Sequence, residues 1–183
     1  MSSDRLPVDS CEVAHRYEVI DAAENCSAEV LIRYLGGDPT IEVLRATSEE
    51  VVIGNSNVQV CAVDGPTVDL SVRTVKNVLT TSGADGWRLC LDSRTNLDEI
   101  SCAEPHTGEY VKPRLVSGAD AVDCVALAEG YMNAPYKRVG ELLRVRTVRT
   151  ASGPDCLVEV LGRNVLTASL RDLGVSAIPR EPG

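Results

Sequence analysis

The chain is poor in aromatic residues and in histidine. Its 183 residues include no Phe, one Trp, five Tyr and two His. Without large rings, the core has to be built mainly from Val, Leu, Ile and Ala, which bury less apolar area per residue. Small domains of this composition are marginally stable, so we expect covalent cross-links to contribute to their stability.

The sequence also lacks the patterns that mark several functional classes. It contains no P-loop, no G-x-G-x-x-G, no G-x-S-x-G and no H-E-x-x-H. Its net charge is −9, and no run of Lys or Arg offers a face for phosphates. No apolar stretch approaches the roughly 20 residues that a membrane-spanning helix needs. We therefore predict a protein that is not an enzyme and that has no cofactor, no metal and no nucleic-acid partner.

What the sequence does contain is seven cysteines and a repeated pattern. The order Cys-x3-His-x2-Glu occurs twice, and the two occurrences include both histidines. They are formed by Cys11, His15 and Glu18 and by Cys102, His106 and Glu109. Two further cysteines follow each pattern, and the offsets between copies are 91, 98 and 95 residues at the three successive positions. This predicts an internal duplication, in which residues 70–73 match residues 168–171.

The duplication and the hydrophobic patterns predict an α+β fold of two tandem repeats. Each repeat is expected to be a small disulfide-stapled module in which a short helix packs on an antiparallel sheet. The predicted boundaries are residues 10–79 for the first module, 80–86 for a linker, 87–175 for the second module and 176–183 for a disordered tail.

Local signals place the helices and one early strand. The first helix is predicted to begin in a capping box at residues 21–24 and to end at Gly36. Residues 40–46 are predicted to form a strand. In the second module, a helix capped within residues 117–120 would carry one apolar face over residues 124–132.

Six cysteines fall into three pairs by their positions. In each module one cysteine lies on the predicted helix and one on a late strand, and two more lie at the ends of a predicted hairpin. The predicted disulfides are Cys26 with Cys61, Cys124 with Cys156 and Cys90 with Cys102. Closing a loop of about 35 residues stabilises a fold by about 3.7 kcal/mol on the chain-entropy model. Cys11 is left as a free thiol or as a link between two copies of the chain.

The cysteine pairs also bear on the compartment. Three well-placed pairs favour an oxidising setting outside the cytoplasm. The first residues, Met-Ser-Ser-Asp, are polar and acidic and do not resemble a signal peptide. Either the protein is cytosolic, or an export or anchoring segment lies outside this sequence, and the cysteine pattern favours the second interpretation.

A zinc site is one alternative use of the Cys-x3-His segments. Two such pairs would supply the ligands of a Cys₂His₂ site between the modules. However, Pro105 disfavours a regular helix directly before His106, and the sequence has no C-x2-C knuckle.

A thiol-dependent enzyme is the other alternative, with a Cys nucleophile, a His base and an orienting Glu. In an extended segment, residues four apart lie about 13 Å from each other, so Cys102 and His106 would meet only across a sharp turn. A disulfide-bonded cysteine also cannot attack. The simplest interpretation makes His106 a partly buried ring that hydrogen-bonds the backbone of its own segment and orients Glu109.

The segment that begins at Cys102 reads Cys-Ala-Glu-Pro-His-Thr-Gly-Glu-Tyr-Val. It is preceded by Trp87-Arg88-Leu89-Cys90 and followed by a Cys-bearing helix with a Tyr, by Cys156 and by Ser169-Leu170-Arg171. This combination resembles the septum-formation domain family of actinobacteria over residues 87–174. Residues 10–75 look like a second, degenerate copy that lacks the Pro and the first Cys.

The resemblance implies a non-catalytic, extracytoplasmic protein of the cell envelope with a binding or scaffolding role connected with septum formation. Domains of this family often follow a transmembrane helix or a lipoprotein signal, so a membrane anchor is expected in a longer parent chain. The expected partner is a protein or a cell-wall component. If they surround an exposed cleft, the candidate contact residues are His15, Glu18, Glu104, His106 and Glu109.

Overall fold

The computed structural model describes seven segments of the chain. They are residues 17–21, 26–53, 58–64, 74–95, 98–111, 123–150 and 153–183. The chain divides into two compact units. The first comprises Met1–Pro39 and Leu44–Ser82, and the second comprises Thr40–Val43 and Gly83–Gly183.

The first unit contains a three-stranded antiparallel sheet and a short helix. Its elements are β1 (Glu18–Asp21), α1 (Ala28–Tyr34), β2 (Thr47–Ile53) and β3 (Val58–Asp64). The strand order is β1-β3-β2, so β3 is paired on both edges. Four consecutive residues of β3, from Val60 to Val63, are buried, which shows that both faces of this strand are covered.

Helix α1 begins and ends at residues with clear physical roles. The Ser27 hydroxyl accepts the backbone N–H of Val30 at 3.4 Å and caps the helix. The chain leaves the helix through Gly36, whose φ is +83° and where a Cβ would approach the Cα of Asn77 to 3.0 Å. The predicted end is therefore confirmed. The predicted start of the helix at residues 21–24 is wrong, because α1 begins at Ala28 after the Ser27 cap; residues 22–24 themselves lie outside the described residues.

The second unit is built on a five-stranded antiparallel sheet. Its strands are β4 (Leu89–Asp92), β5 (Asp98–Ser101), β6 (Gly108–Val111), β7 (Leu143–Thr150) and β8 (Gly153–Val160), in the order β5-β4-β6-β8-β7. Two helices, α2 (Cys124–Met132) and α3 (Tyr136–Val139), lie between β6 and β7 in the chain. A separate antiparallel pair is formed by β9 (Asn164–Leu166) and β10 (Arg180–Pro182).

Helix α2 supplies one side of the core of this unit. Asp123 caps it by accepting the backbone N–H groups of Val125 and Ala126 at 3.1 and 3.0 Å. The cap of α2 is therefore not within residues 117–120 as predicted, and those residues lie outside the described part of the chain. The predicted apolar face is confirmed, since four residues of α2 are buried against the sheet. They are Cys124, Ala128, Tyr131 and Met132.

Residues 40–43 belong to the second unit, although the chain on both sides of them folds in the first. Val43 accepts the backbone N–H of Leu89 at 3.0 Å, and Ile41 packs against the core of the second unit. The predicted strand at residues 40–46 is wrong, because the strand after α1 begins at Thr47. The segment is held by contacts with residues distant in sequence, which local propensity does not reveal.

The last residues of the chain have a defined structure. In the β9–β10 pair Glu181 lies opposite Val165, and the backbone N–H of Gly183 donates to Arg163 at 2.7 Å. The predicted disordered tail at residues 176–183 is therefore wrong. Its structure depends on pairing with a strand that is distant in sequence, which a short polar segment does not signal by itself.

All three predicted disulfides are present. They join Cys26 to Cys61, Cys90 to Cys102 and Cys124 to Cys156. The α+β class, with antiparallel sheets, few short helices and three disulfides, is confirmed. The disulfides indicate an oxidising, extracytoplasmic setting. Among the described residues, no helix has both the length and the apolar character needed to cross a bilayer.

Candidate functional site

The Cys90–Cys102 disulfide holds the start of the segment that contains Glu104, His106 and Glu109. Cys90 lies on β4 and Cys102 directly follows β5, the two strands of the predicted hairpin. After Cys102 the chain turns, and the backbone N–H of Glu104 donates to Ser101 at 3.0 Å. The turn carries the chain to His106 and then into β6.

His106 is fully buried and uses both ring nitrogens. Its Nδ1 donates to the carbonyl of Glu104 at 2.7 Å, and its Nε2 lies 3.1 Å from Oε1 of Glu109. The backbone of His106 exchanges two hydrogen bonds with Leu166, at 3.0 and 2.7 Å. A carbonyl oxygen can only accept, so Nδ1 carries a proton, and both ring nitrogens have a hydrogen-bond partner inside the fold. The predicted hydrogen bonds of His106 to its own segment and to Glu109 are confirmed, but the ring is fully buried and not partly buried as predicted.

Glu109 lies at the centre of a saturated hydrogen-bond network. Its carboxylate is fully buried and accepts from His106, from the hydroxyls of Tyr131 and Ser169 at 2.9 Å each, and from the backbone N–H of Leu170 at 2.7 Å. A carboxylate offers about four lone-pair positions, so these donors leave no acceptor unused. This network explains why a charged residue is tolerated on the core face of β6.

The phenol of Tyr131 acts as a fixed donor in this network. Burial, and next the charge of Glu109, raise the pKa of Tyr131 well above that of a free tyrosine. The hydroxyl therefore stays protonated at neutral pH and keeps its hydrogen bond to the carboxylate.

A buried carboxylate in the first unit has the same kinds of donors. Glu18 is 1% exposed and accepts from the hydroxyl of Tyr34, from the hydroxyl of Thr74 at 2.5 Å and from the backbone N–H of Val75 at 2.9 Å. As in the second unit, the tyrosine comes from the helix and the other two donors are adjacent residues. The residue that would correspond to His106 is His15, which lies outside the described residues.

A second charged cluster lies in the second unit. Glu42 is 2% exposed and accepts from Arg88 Nε at 3.1 Å and from Arg171 Nε at 3.0 Å. Arg88 also pairs with Asp85 at 3.0 Å, and Arg171 lies over the ring of Tyr131 at 5.6 Å. Sequence analysis missed this cluster. The available signal was the charged Glu42 among the apolar residues Ile41, Val43 and Leu44.

Three residues near the turn have ligand atoms suited to a metal. One atom each of Cys90, Cys102 and His106 lies within 4.8 Å of the others, and all three residues are buried. Cys102 and His106 approach each other because the chain turns between them, which is the condition that the sequence set for their contact. In the structure the two sulfurs are bonded to each other, so neither is a thiolate that could bind a metal or attack a substrate.

The predicted contact residues differ in their exposure. Glu104 is exposed, whereas Glu18, His106 and Glu109 are buried and form internal hydrogen bonds. The prediction that these three contact a partner around a cleft is wrong, because their polar atoms are used within the fold. His15 and Cys11 lie outside the described residues.

Comparison of the chain with family models, with curated proteins and with solved structures finds no match. What the site can do chemically is therefore inferred from its geometry alone.

Proposed function

We propose that this chain is a non-catalytic protein of the cell envelope with a binding or scaffolding role connected with septum formation. The resemblance of residues 87–174 to septum-formation domains supports the role. The oxidising setting indicated by three disulfides supports the location outside the cytoplasm. A protein or a cell-wall component is the proposed partner, and a membrane anchor belongs to the same proposal.

The four hydrogen bonds that Glu109 accepts support the non-catalytic part of the proposal. A general base needs a free acceptor within reach of a substrate proton. Glu109 already accepts from four donors, and neither it nor His106 is exposed to solvent. The nearest sulfurs, those of Cys90 and Cys102, are joined in a disulfide. The Cys-His-Glu set is therefore best explained as an element that stabilises the fold.

The proposal includes a tandem duplication, which matching hydrogen bonds support. In each unit a buried glutamate accepts from a helix tyrosine, and the backbone carbonyl of that tyrosine accepts a distant N–H. Asn77 donates to Tyr34 at 3.1 Å, and Asp172 donates to Tyr131 at 3.0 Å. Asn77 and Asp172 both have positive φ, 61° and 54°. In both units, the residue that donates to the tyrosine carbonyl has the left-handed backbone conformation, which few residues other than Gly adopt. This makes the similarity a specific one.

The same bonds define the register of the proposed duplication. Thr74 and Val75 donate to Glu18 as Ser169 and Leu170 donate to Glu109. The corresponding donors of the two units are 95 residues apart in the chain, as are Cys61 and Cys156. This register matches Ser169 with Thr74, whereas the sequence pattern matched it with Ser71, so the hydrogen bonds do not support the match of residues 70–73 with residues 168–171. Residues 70–73 themselves lie outside the described residues.

Localisation of the native protein in the organism that makes it tests the proposed role. A fusion to a fluorescent protein that folds in oxidising compartments would be imaged through the division cycle, and the envelope-extracted protein would be mapped for disulfides. We expect enrichment at the division site and three bridged pairs. A uniform cytoplasmic signal together with seven free thiols would contradict the proposal.

Zinc binding is a second candidate, favoured by the proximity of Cys90, Cys102 and His106. The sulfurs would bind zinc as thiolates, which requires reduction of their disulfide. Zinc content measured after purification with and without reductant distinguishes the two candidates. One zinc per chain that is lost in His106→Gln would favour the metal site, whereas a zinc-free protein with an intact disulfide would favour the scaffold.

A further inference from the structure

A cavity of about 260 Å³ lies in the second unit, between α3 and the segment that leads into β10. Its apolar floor is formed by Val139, Leu142 and Ile178. Val139 is buried, and Ile178 packs against the core of the unit, so the floor is part of the folded framework. The volume lies just below the range of about 300–1,000 Å³ that is typical of pockets for drug-sized ligands. The cavity therefore suits a small molecule.

Two arginines line the same cavity. Arg138 comes from α3 and Arg180 is the first residue of β10. The Nη2 of Arg138 donates to the carbonyl of Ser176 at 2.9 Å, which holds this guanidinium beside the segment that borders the cavity. A guanidinium has five N–H donors, so most of those of Arg138 remain for a ligand.

Neither arginine has a carboxylate partner within the described part of the chain. Several other arginines of this unit are paired with carboxylates, for example Arg88 with Glu42, Arg94 with Asp92 and Arg144 with Glu159. In a chain whose net charge is −9, two unpaired guanidiniums on one cavity are a local excess of positive charge. An anionic ligand would complement them.

We propose that this cavity binds a small carboxylate with a short aliphatic body. The carboxylate lies between the guanidiniums of Arg138 and Arg180, which match its planar geometry with paired N–H donors. The aliphatic carbons lie on Val139, Leu142 and Ile178 and lose their contact with water. The proposal does not rest on the proposed function, since neither the compartment nor the duplication enters it.

Titration with hexanoate, followed through the methyl NMR signals of Leu142 and Ile178, tests the proposal on the whole chain. We expect saturable shifts with hexanoate. Hexanol keeps the aliphatic body without the charge, and acetate keeps the charge without the body. Both are expected to bind at least about tenfold more weakly than hexanoate, because each lacks one half of the complementary interactions.

Single substitutions identify the residues responsible. Arg138→Gln and Arg180→Gln are each expected to weaken hexanoate binding by about tenfold or more, the usual cost of losing a charged hydrogen bond. Arg163→Gln is the matched control. It removes the same charge from an exposed arginine that does not line the cavity. The methyl spectrum of each variant without ligand verifies that the fold is retained.

Four results would overturn the proposal. They are the absence of saturable shifts, equal binding of hexanol and hexanoate, equal binding of inorganic phosphate and hexanoate, and unchanged hexanoate binding in both cavity variants. A negative result for hexanoate binding would leave the expected localisation and the expected disulfide bonds unchanged. Failure of the binding proposal is therefore distinguishable from failure of the proposed function.

Discussion

Tyr131 donates its phenolic hydrogen to Oε2 of Glu109 at 2.9 Å, and neither side chain is more than 1% exposed. We expect Tyr131→Phe to lower the free energy of unfolding by about 1–3 kcal/mol, because the buried carboxylate loses a donor that water does not replace. Urea denaturation measures the difference. Tyr110→Phe is the control, since Tyr110 is half-buried and its hydroxyl donates no hydrogen bond among the described residues. An equal loss in both variants would contradict the assigned role of Tyr131.

Tyr34→Phe tests whether the first unit uses its buried carboxylate in the same way. The hydroxyl of Tyr34 donates to Oε1 of Glu18, which is buried. We expect a loss of about 1–3 kcal/mol in the free energy of unfolding, in the same direction as for Tyr131→Phe. A neutral effect of Tyr34→Phe beside a large effect of Tyr131→Phe would argue against equivalent networks in the two units.

Glu42→Gln is expected to be strongly destabilising. The substitution keeps the size of the side chain but leaves the guanidiniums of Arg88 and Arg171 without their shared carboxylate. Removing one partner of a buried ion pair typically costs about 3–5 kcal/mol. The matched control is Glu29→Gln, which breaks an exposed pair with Arg33 and should change stability by less than about 1 kcal/mol. Similar values for the two variants, measured by thermal and urea unfolding, would refute this assignment.

The Cys124–Cys156 disulfide is expected to contribute about 3.7 kcal/mol, since it closes a loop with a sequence separation of 32 residues. Replacing both cysteines by Ala should lower the free energy of unfolding by about that amount. The Cys26–Cys61 bond spans 35 residues, so its double Ala variant is the matched comparison and should lose a similar amount. A loss below about 1 kcal/mol in either pair would show that the chain-entropy argument does not hold here.

Glu159 predicts a pH dependence of stability. The pKa of Glu159 is lowered, first because Arg146 donates to its carboxylate at 2.8 Å and then because Arg144 does so as well, while partial burial opposes the shift. A group whose pKa is lowered by folding stabilises the protein fully above its unfolded pKa, which is about 4.3 for Glu. This contribution is lost as the pH falls through the lower, folded pKa.

Unfolding free energies measured from pH 7 down to about pH 2 test this expectation. The difference between the wild type and Glu159→Gln should be constant above about pH 5 and shrink below it. Glu141→Gln, which changes an exposed side chain, is the control. A difference that stays constant across the whole range would mean that the Arg144–Arg146–Glu159 contacts do not favour the ionised carboxylate.

Much of the covalent framework could be predicted from the sequence. Each disulfide follows from one cysteine on a predictable element and a second cysteine at a suitable distance along the chain. The bonding of His106 to its own segment followed as well, because a histidine three residues from a glutamate has a partner nearby. These predictions rest on short-range patterns, which local propensity and side-chain periodicity report directly.

Apart from the two helix caps, the incorrect predictions and the missed cluster concern contacts between residues that are distant in sequence. The burial of Glu42 depends on Arg171, 129 residues further along the chain. The pairing of β10 depends on β9. In each case the sequence shows the residue but not its partner.

The sequence by itself determined the class of this protein: few aromatic residues, a core of small apolar side chains, and spaced cysteines. Two of these, Cys124 at the start of α2 and Cys26 just before α1 rather than on it as predicted, are cross-linked to antiparallel sheets. Only the tertiary structure decided that Glu18, Glu109 and His106 are internal and that Arg138 and Arg180 line one cavity. The apolar face of α2 and the end of α1 at Gly36 depend on residues a few positions apart, so the sequence carries their signal locally. Hydrogen bonds to a buried carboxylate exist only where folding brings several distant segments together, so no single segment encodes them.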